Sequence, residues 1–157
     1  MKRKTEKQAA PAGSRARIVL YTIAAIISLA GLADATYLTV AALTGETAVC
    51  AGSTGCQEVL GSPYAKIAGI PVAALGVWGY FAAFTFAIFA GFGYARARKF
   101  FALTVWAMFA MTLWFLYVQA FVLHAFCRYC LFSAAFVFLM AGLVVASPPP
   151  RDSGNEK

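Results

Sequence analysis

Four cysteines in two closely spaced pairs are the residues of this chain best suited to chemistry. Cys127 and Cys130 are separated by two residues, where a charged turn meets the apolar run from Leu131 to Ala146. If that run is a helix, both sulfurs lie on one face, one turn apart. Cys127 would then lie at the helix N-terminus, where orphan N–H groups and the helix dipole favour a thiolate, and Arg128 adds positive charge. We predict a redox-active pair whose inner sulfur meets a lipid-soluble reactant.

The second pair, Cys50 and Cys56, has five residues between the two cysteines. Gly52 and Gly55 give the backbone enough freedom to bring the Cα atoms within the range of about 4.4–6.8 Å that a disulfide needs. A structural disulfide is the alternative to a redox-active one. Structural zinc sites normally use two closely spaced cysteine pairs in a small soluble domain. Zinc is disfavoured here, because seventy residues and two membrane crossings separate the two pairs. We favour a relay in which an external thiol reduces the loop pair, and the loop pair then reduces the helix pair.

The composition places these cysteines in a membrane protein. Of the 157 residues, 62% are hydrophobic and only 12% are charged, and the mean hydropathy is +0.75. A helix needs roughly 20 residues to cross a hydrocarbon core of about 30 Å. Four segments meet this requirement: Ile18 to Leu43, Ile70 to Phe92, Phe100 to Val122 and Phe126 to Ala146. We predict an all-α membrane protein, a four-helix bundle at 18–146, preceded by a basic arm at 1–17 and followed by a disordered tail at 147–157.

The distribution of charge predicts the orientation of the bundle. The net charge of +7 comes mainly from basic residues before the first segment and from the turn between the second and third segments. By the positive-inside rule, both termini face the cytoplasm, and the loop at 44–69 and all four cysteines face outward, where disulfides persist. Nucleic-acid binding is disfavoured, because no basic patch is interleaved with exposed aromatic residues. The run from Arg15 to Ala35 has some features of a signal peptide, but its apolar character continues to Leu43, so we favour a retained helix.

Several polar residues are candidates for roles near the cysteines. Ser62 before Pro63 has the form of a helix N-cap, which predicts a two-turn surface helix ending at Gly69, in the first outer loop. The Ser62 hydroxyl could also serve a ligand carbonyl. Asp34 lies within the first segment and should face the bundle, either in an interhelical hydrogen bond or as a proton carrier. His124 is either an interfacial side chain or part of a proton relay.

Three stretches resemble the bacterial vitamin K epoxide reductase homologues. They are Cys50-x5-Cys56, the run from Ser62-Pro-Tyr64-Ala to Gly69-Ile-Pro-Val-Ala-Ala-Leu-Gly76, and Cys127-Arg-Tyr-Cys130-Leu-Phe-Ser133-Ala. The likeness covers roughly residues 18 to 146. The order of the two pairs distinguishes this chain from other four-helix quinone-linked thiol oxidases, in which the Cys-x-x-Cys pair comes first.

The resemblance implies a role for each cysteine. Cys50 would face a partner protein, Cys56 would attack Cys127, and Cys130 would lie beside a quinone. In the family, electrons pass from periplasmic dithiols through a thioredoxin-fold oxidase to the quinone, and disulfides are made. The quinone here would be ubiquinone or menaquinone, and no metal is implied. Because the sequence ends without a fused thioredoxin-like domain, we expect a separate thioredoxin-fold partner outside the membrane.

Contacts to the quinone are harder to transfer from the family. The resemblance places Ser62 near the quinone, and we add Tyr64, Tyr117 and Ser133 as candidate contacts. Vertebrate members have a tyrosine four residues after the last cysteine of the pair, where this chain has Ala134. The head-group contacts and any activity on an epoxide therefore do not carry over from those members.

These observations predict a thiol:quinone oxidoreductase that generates disulfides, in the bacterial cytoplasmic membrane with its cysteines on the periplasmic side. One alternative is also an enzyme, but a vitamin K epoxide/quinone reductase proper, which has vitamin K epoxide as its substrate. The other is a non-catalytic membrane protein whose disulfides are structural.

Overall fold

A computed structural model describes residues 12–44, 54–67 and 69–147 of the chain. The described elements are five α-helices, one 3₁₀ turn, one π turn and two short strands. In chain order they are α1 (Ala12–Thr44), α2 (Thr54–Gly61), the 3₁₀ turn Pro63–Ala65, β1 (Lys66–Ile67), β2 (Ile70–Pro71), α3 (Val72–Gly91), α4 (Ala95–Tyr117), the π turn Val118–Val122 and α5 (Arg128–Ala146).

Four of these helical segments are long and apolar enough to cross a membrane: Arg15–Thr44, Val72–Gly91, Ala95–Val122 and Arg128–Ala146. Each overlaps one of the four segments predicted from hydropathy, so the all-α membrane bundle is confirmed. The protein is a multi-pass membrane protein.

The four long helices close into a ring, in which α1 packs against α3 and α5, and α4 packs against α3 and α5. Small residues line the tightest contacts, because without a large side chain two helices can approach closely. Ala24 on α1 and Ala83, Ala87 and Ala90 on α3 are fully buried. Larger side chains fill the remaining space, and the rings of Tyr21 on α1 and Phe101 on α4 meet edge to face at 5.7 Å.

The outward faces of the bundle are covered by large apolar side chains. Trp78, Phe92 and Val145 are each more than 70% exposed. An exposed apolar surface of this extent marks an interaction with lipid or protein. On helices of membrane-spanning length, it fits hydrocarbon.

The loop between α1 and α3 differs in detail from the prediction. It does contain a short helix, but that helix is α2, which begins before Cys56, and not the predicted helix from Ser62 to Gly69. The predicted stretch forms a single 3₁₀ turn and a hairpin in which Lys66 pairs with Pro71 and Ile67 with Ile70. Gly69 has a φ of +83°, which supports the tight turn of the hairpin instead of ending a helix.

The π turn at the end of α4 was not predicted. One extra residue per turn widens the helix here, and such turns occur frequently at functional sites. In this chain it leads into the turn from Leu123 to Phe126, which delivers Cys127 to the start of α5.

Candidate functional site

Cys127 occupies the N-cap position of α5, as predicted. Its backbone is extended, with φ −95° and ψ 116°, and its Sγ accepts a hydrogen bond from the backbone N–H of Cys130 at 3.4 Å. A side-chain acceptor at the N-cap satisfies one of the orphan donors of the first helical turn. The side chain is fully buried. This sulfur is therefore held at the positive end of the α5 dipole, away from water.

Gln119 fixes the turn that precedes Cys127. The π turn directs its side chain inward, where it is 1% exposed. Its Oε1 accepts the backbone N–H of Cys127 at 3.0 Å, and its backbone carbonyl accepts the N–H of Ala125 at 3.2 Å. Gln119 thus bonds to the backbone at two points of the turn. This role depends on the π turn, which no local pattern in the sequence indicates.

Cys56, from the outer loop, lies next to Cys127. It lies on α2, is fully buried, and its Sγ is 3.8 Å from Cys127 Sγ. Gly55 permits this approach, because a Cβ at that position would lie 2.9 Å from the backbone oxygen of Phe126. Gly55 was predicted to give a turn its freedom; the structure assigns it a close approach between α2 and the turn before α5.

The cysteines differ in redox state. Cys56 is in a disulfide bond, whereas Cys127 and Cys130 are free thiols. Cys50 lies outside the described residues, and its predicted role in the loop pair stays a prediction. The disulfide sulfur of Cys56 lies 3.8 Å from the free thiol of Cys127. This separation is close to the distance of about 3–3.5 Å at which two atoms react.

The environment favours the thiolate of Cys127. Hydrogen bonding from the Cys130 side chain, helped by the backbone N–H groups of Tyr129 and Cys130, outweighs burial and lowers the pKa of Cys127 from 9.0 to about 7. The negative charge of Asp34 acts in the opposite direction. A thiolate is the nucleophile in thiol–disulfide exchange, so the pair is prepared for exchange near neutral pH.

Asp34 faces the interior of the bundle, as predicted. It is close enough to act electrostatically on Cys127, Cys130 and Tyr80. Its Oδ2 is buried and has no hydrogen-bond partner within the described part of the chain. This oxygen therefore does not form the interhelical hydrogen bond that was the alternative to proton transfer.

Cys130 borders a cavity of about 280 Å³ inside the bundle. All four long helices contribute to its wall, which is mainly aliphatic, with Leu38 on α1, Val72 on α3, and Met108 and Met111 on α4. Cys130, Ser133 and Ala134 line it from α5. An apolar cavity with a few convergent polar groups is the usual form of a small-molecule site.

Tyr80 supplies the phenol at this cavity. Its Oη donates a hydrogen bond to the backbone oxygen of Ser133 at 2.9 Å and lies 2.9 Å from Ser133 Oγ. Its ring packs against the backbone of α1 at Gly31, where a Cβ would overlap the ring. Tyr80 is not among the residues predicted from the sequence, because one tyrosine in an aromatic-rich helix resembles a packing residue. Its only sequence signal is the glycine that faces it, on another helix.

Of the four residues predicted to contact a quinone, only Ser133 lines this cavity. Ser62 is buried but donates its Oγ to the backbone oxygen of Val59 at 2.8 Å, and it does not cap the following 3₁₀ turn. Tyr64 and Tyr117 are 47% and 52% exposed. Tyr117 stacks on Trp114, so its ring lies on the outer surface of the bundle and does not line the cavity.

His124 lies in the turn before α5, is exposed, and has a φ of 49°. A non-glycine residue in this left-handed region is uncommon, which marks the turn as strained. The structure places His124 near the backbone of the redox site without assigning it a hydrogen bond among the described residues.

A comparison with known protein families shows which family the chain belongs to. The model of the Vitamin K epoxide reductase family matches residues 22–145, which include all four cysteines, the whole of α3 and α4, and most of α1 and α5. The matched range covers most of the chain and agrees with the resemblance drawn from the cysteine and serine motifs. This chain belongs to the vitamin K epoxide reductase family and is a membrane oxidoreductase of that type.

Proposed function

We propose that the protein oxidises thiols and passes the electrons through its two cysteine pairs to a membrane quinone. The observation that carries this proposal is the 3.8 Å separation of Cys56 Sγ and Cys127 Sγ, together with the position of Cys130 on the cavity wall. The pair that includes Cys56 belongs to the outer loop, whereas the pair that includes Cys130 borders a cavity suited to an apolar molecule.

The first step transfers electrons between the pairs. When the loop pair is reduced and the helix pair is a disulfide, the thiolate of Cys56 attacks Cys127, and Cys130 leaves as a thiolate. Cys50 then attacks Cys56, which reforms the loop disulfide and releases the thiolate of Cys127. The two electrons now reside on the helix pair. The arrangement of a bonded Cys56 with free Cys127 and Cys130 matches the product of this step.

The second step empties the helix pair. A quinone in the cavity supplies the acceptor chemistry, taking up two electrons and two protons. Cys127 and Cys130 form a disulfide and release two electrons, together with the protons that their thiols still carry. Because the pKa of Cys127 is lowered to about 7, this thiol is already ionised in about half of the molecules near neutral pH, and in those molecules the second proton has to come from another group. Tyr80 and Ser133 are placed to orient the acceptor by hydrogen bonding, and Asp34 is the group we assign to proton supply, with His124 as its link to the surface.

The residues present fit a quinone head group. The cavity wall is mainly aliphatic, and Cys130, Tyr80 and Ser133 all line it, with the Tyr80 and Ser133 hydroxyl oxygens 2.9 Å apart. Tyr80 supplies a phenol at the cavity although Ala134 stands where vertebrate members have a tyrosine. Ubiquinone and menaquinone both satisfy this chemistry.

The source of the electrons is proposed from the family resemblance. A separate thioredoxin-fold protein, on the side of the membrane that carries the cysteines, would reduce the loop disulfide by attack on Cys50. The positive-inside rule places that side away from the cytoplasm, which in the bacterial cytoplasmic membrane that the resemblance implies is the periplasm. A strongly oxidising thioredoxin-fold protein has a potential near about −120 mV, so its reoxidation requires an acceptor at higher potential, such as a quinone.

The test is quinone-dependent oxidation of a reduced dithiol protein by the purified enzyme. We expect Cys56→Ala and Cys130→Ala to lower the rate to the uncatalysed background, while Ser147→Ala, at the other end of α5, leaves it unchanged. Normal turnover in either cysteine variant would favour the alternative of structural disulfides. Replacing the quinone by its epoxide in the same assay separates the two substrate classes. A Cys56→Ala variant also leaves Cys50 free to trap its partner as a mixed disulfide.

A further inference from the structure

Two arginines, Arg17 and Arg98, lie at the end of the bundle opposite the cysteines. Arg17 lies one helical turn before Tyr21 on α1, and Arg98 lies one turn before Phe101 on α4. The rings of Tyr21 and Phe101 are in contact at 5.7 Å. Residues three or four positions apart share a helix face, so both arginines extend from the same side of this contact toward the end of the bundle.

Neither guanidinium is neutralised by the described part of the chain. The Nε atoms of Arg17 and Arg98 are both buried and have no hydrogen-bond partner there. The only described carboxylates are Asp34 and Glu58. Asp34 is 17 residues further along α1 than Arg17, which is about 25 Å of helix. Glu58 lies on α2, beside the cysteines. The planar guanidinium, with its fork of donors, is suited to phosphate and carboxylate oxygens.

An apolar groove begins next to Arg17. It has a volume of about 350 Å³ and lies between α1 and α3, with Ile18, Tyr21 and Ala25 on one side and Ile88, Gly91 and Phe92 on the other. From Ile18 to Ala25 the groove follows about 10 Å of the α1 axis. The guanidinium of Arg17 lies over the turn after α3, where a Cβ on Gly93 would be 3.5 Å from its Nη2. The groove is thus apolar along its length and has the positive charge of Arg17 at one end.

We propose that Arg17 and Arg98 bind the phosphate of an anionic phospholipid, and that one of its acyl chains lies in the groove between α1 and α3. Charge complementarity selects the head group, because positive charge here has no described counter-charge. The groove favours a lipid over a free anion, because its walls are mainly apolar and it follows about 10 Å of the α1 axis. Basic pockets between membrane helices are known lipid head-group sites.

The test compares phosphatidylglycerol with phosphatidylcholine as ligands of the full-length protein in a neutral detergent. Retained lipid is measured by native mass spectrometry, and affinity by titration. We expect the wild type to prefer phosphatidylglycerol. The variant Arg17→Gln with Arg98→Gln should bind it about 100-fold more weakly, at about tenfold for each charge-assisted hydrogen bond to the phosphate that is lost.

Two exposed arginines provide the matched control. Arg15 and Arg96 lie at the same end of the bundle, and their side chains are exposed. Arg15→Gln with Arg96→Gln removes the same charge, and we expect a loss of only a few-fold. Equal losses in the two double variants would overturn the proposal, because the effect would then be a general attraction between a basic surface and an anionic lipid.

The groove is tested separately with Gly91→Leu, which keeps the charge and places a side chain among its lining residues. We expect it to weaken phosphatidylglycerol binding while the affinity for inorganic phosphate stays unchanged. Helix content and a monodisperse elution profile show whether this variant is folded; if it is not, phosphatidylglycerols of decreasing chain length replace it, and affinity should fall with length. Displacement of the lipid by inorganic phosphate at comparable concentration, or indifference to chain length, would overturn the groove assignment.

Discussion

Cys127 Sγ lies 3.8 Å from Cys56 Sγ, although the two cysteines are 71 positions apart in the chain. α2 carries the sulfur of Cys56, and the turn after α4 positions the sulfur of Cys127 beside it. A disulfide has an S–S distance of about 2.05 Å, so a shift of roughly 2 Å would join them. This contact makes the exchange between the two pairs testable one bond at a time.

The first prediction concerns that bond directly. In a Cys50→Ala, Cys130→Ala double variant, Cys56 and Cys127 are the only cysteines left, and mild oxidation should join them within one chain. The product is detected as a loss of two thiols without a change in mass on a non-reducing gel, and by a cross-linked peptide after digestion. Two free thiols after oxidation would show that the sulfurs do not meet.

Gly55 should control the rate of this exchange. A Cβ would lie 2.9 Å from the Phe126 backbone oxygen, and neither group can rotate away, so Gly55→Ala should push α2 from the turn. A misplacement of about 1 Å can lower a rate by up to about a hundredfold. Gly61→Ala, at the other end of α2, has nothing within 4 Å and is the control. Similar turnover in both variants would refute the close-approach argument.

Gln119 should matter through the backbone of Cys127. Gln119→Leu keeps the size of the side chain and removes the acceptor of the Cys127 N–H, leaving a buried donor without a partner. The expected cost is about 1–3 kcal/mol of stability, measured by thermal or denaturant unfolding in detergent. Gln119→Glu keeps an acceptor oxygen and should fold better than Gln119→Leu. A negative charge beside Cys127 should at the same time raise the pKa of that thiol.

The ionisation of Cys127 predicts a pH dependence. With a pKa lowered to about 7, the thiolate is half formed near pH 7, increases as the pH rises and is lost below it. The ultraviolet absorbance of the reduced protein, minus that of Cys127→Ser, should therefore titrate near neutral pH instead of near 9. Asp34→Asn removes a charge that raises the pKa of Cys127 and should move the curve to lower pH. A midpoint unchanged by Asp34→Asn would mean that the carboxyl is already neutral or too distant.

Tyr80 should affect the use of quinone more than the exchange between sulfurs. Tyr80→Phe removes one hydroxyl from the cavity while keeping the ring against Gly31. The loss of one hydrogen bond, roughly 0.5–1.5 kcal/mol, predicts a few-fold to about tenfold fall in kcat/KM for quinone. Tyr94→Phe, at the opposite end of the bundle and 63% exposed, is the control. Equal loss of thiol exchange in the Cys50→Ala, Cys130→Ala background would indicate a general packing defect instead.

Much of this protein follows from its sequence because the bilayer imposes strong rules. A chain in hydrocarbon has to satisfy every backbone polar group within its own helices, so the lengths of four apolar runs are enough to predict four spanning helices. The position of Cys127 at the start of α5 is equally local, since it depends on where a charged turn meets an apolar run. The family is recognisable because the cysteines and the Ser62 motif are also local in sequence.

Tertiary structure decided what depends on approach between distant segments. The sequence predicted a helix after Ser62, but the helix lies before it, because packing of Gly55 on Phe126 and burial of Cys56 and Val59 outweigh the local capping signal. The cavity contacts Tyr80, whose neighbour Gly31 lies 49 positions earlier on another helix, and no spacing rule within one segment reveals such a pair. The π turn that aims Gln119 at Cys127 is a choice between nearly equal hydrogen-bonding patterns. Only the surrounding contacts settle that choice.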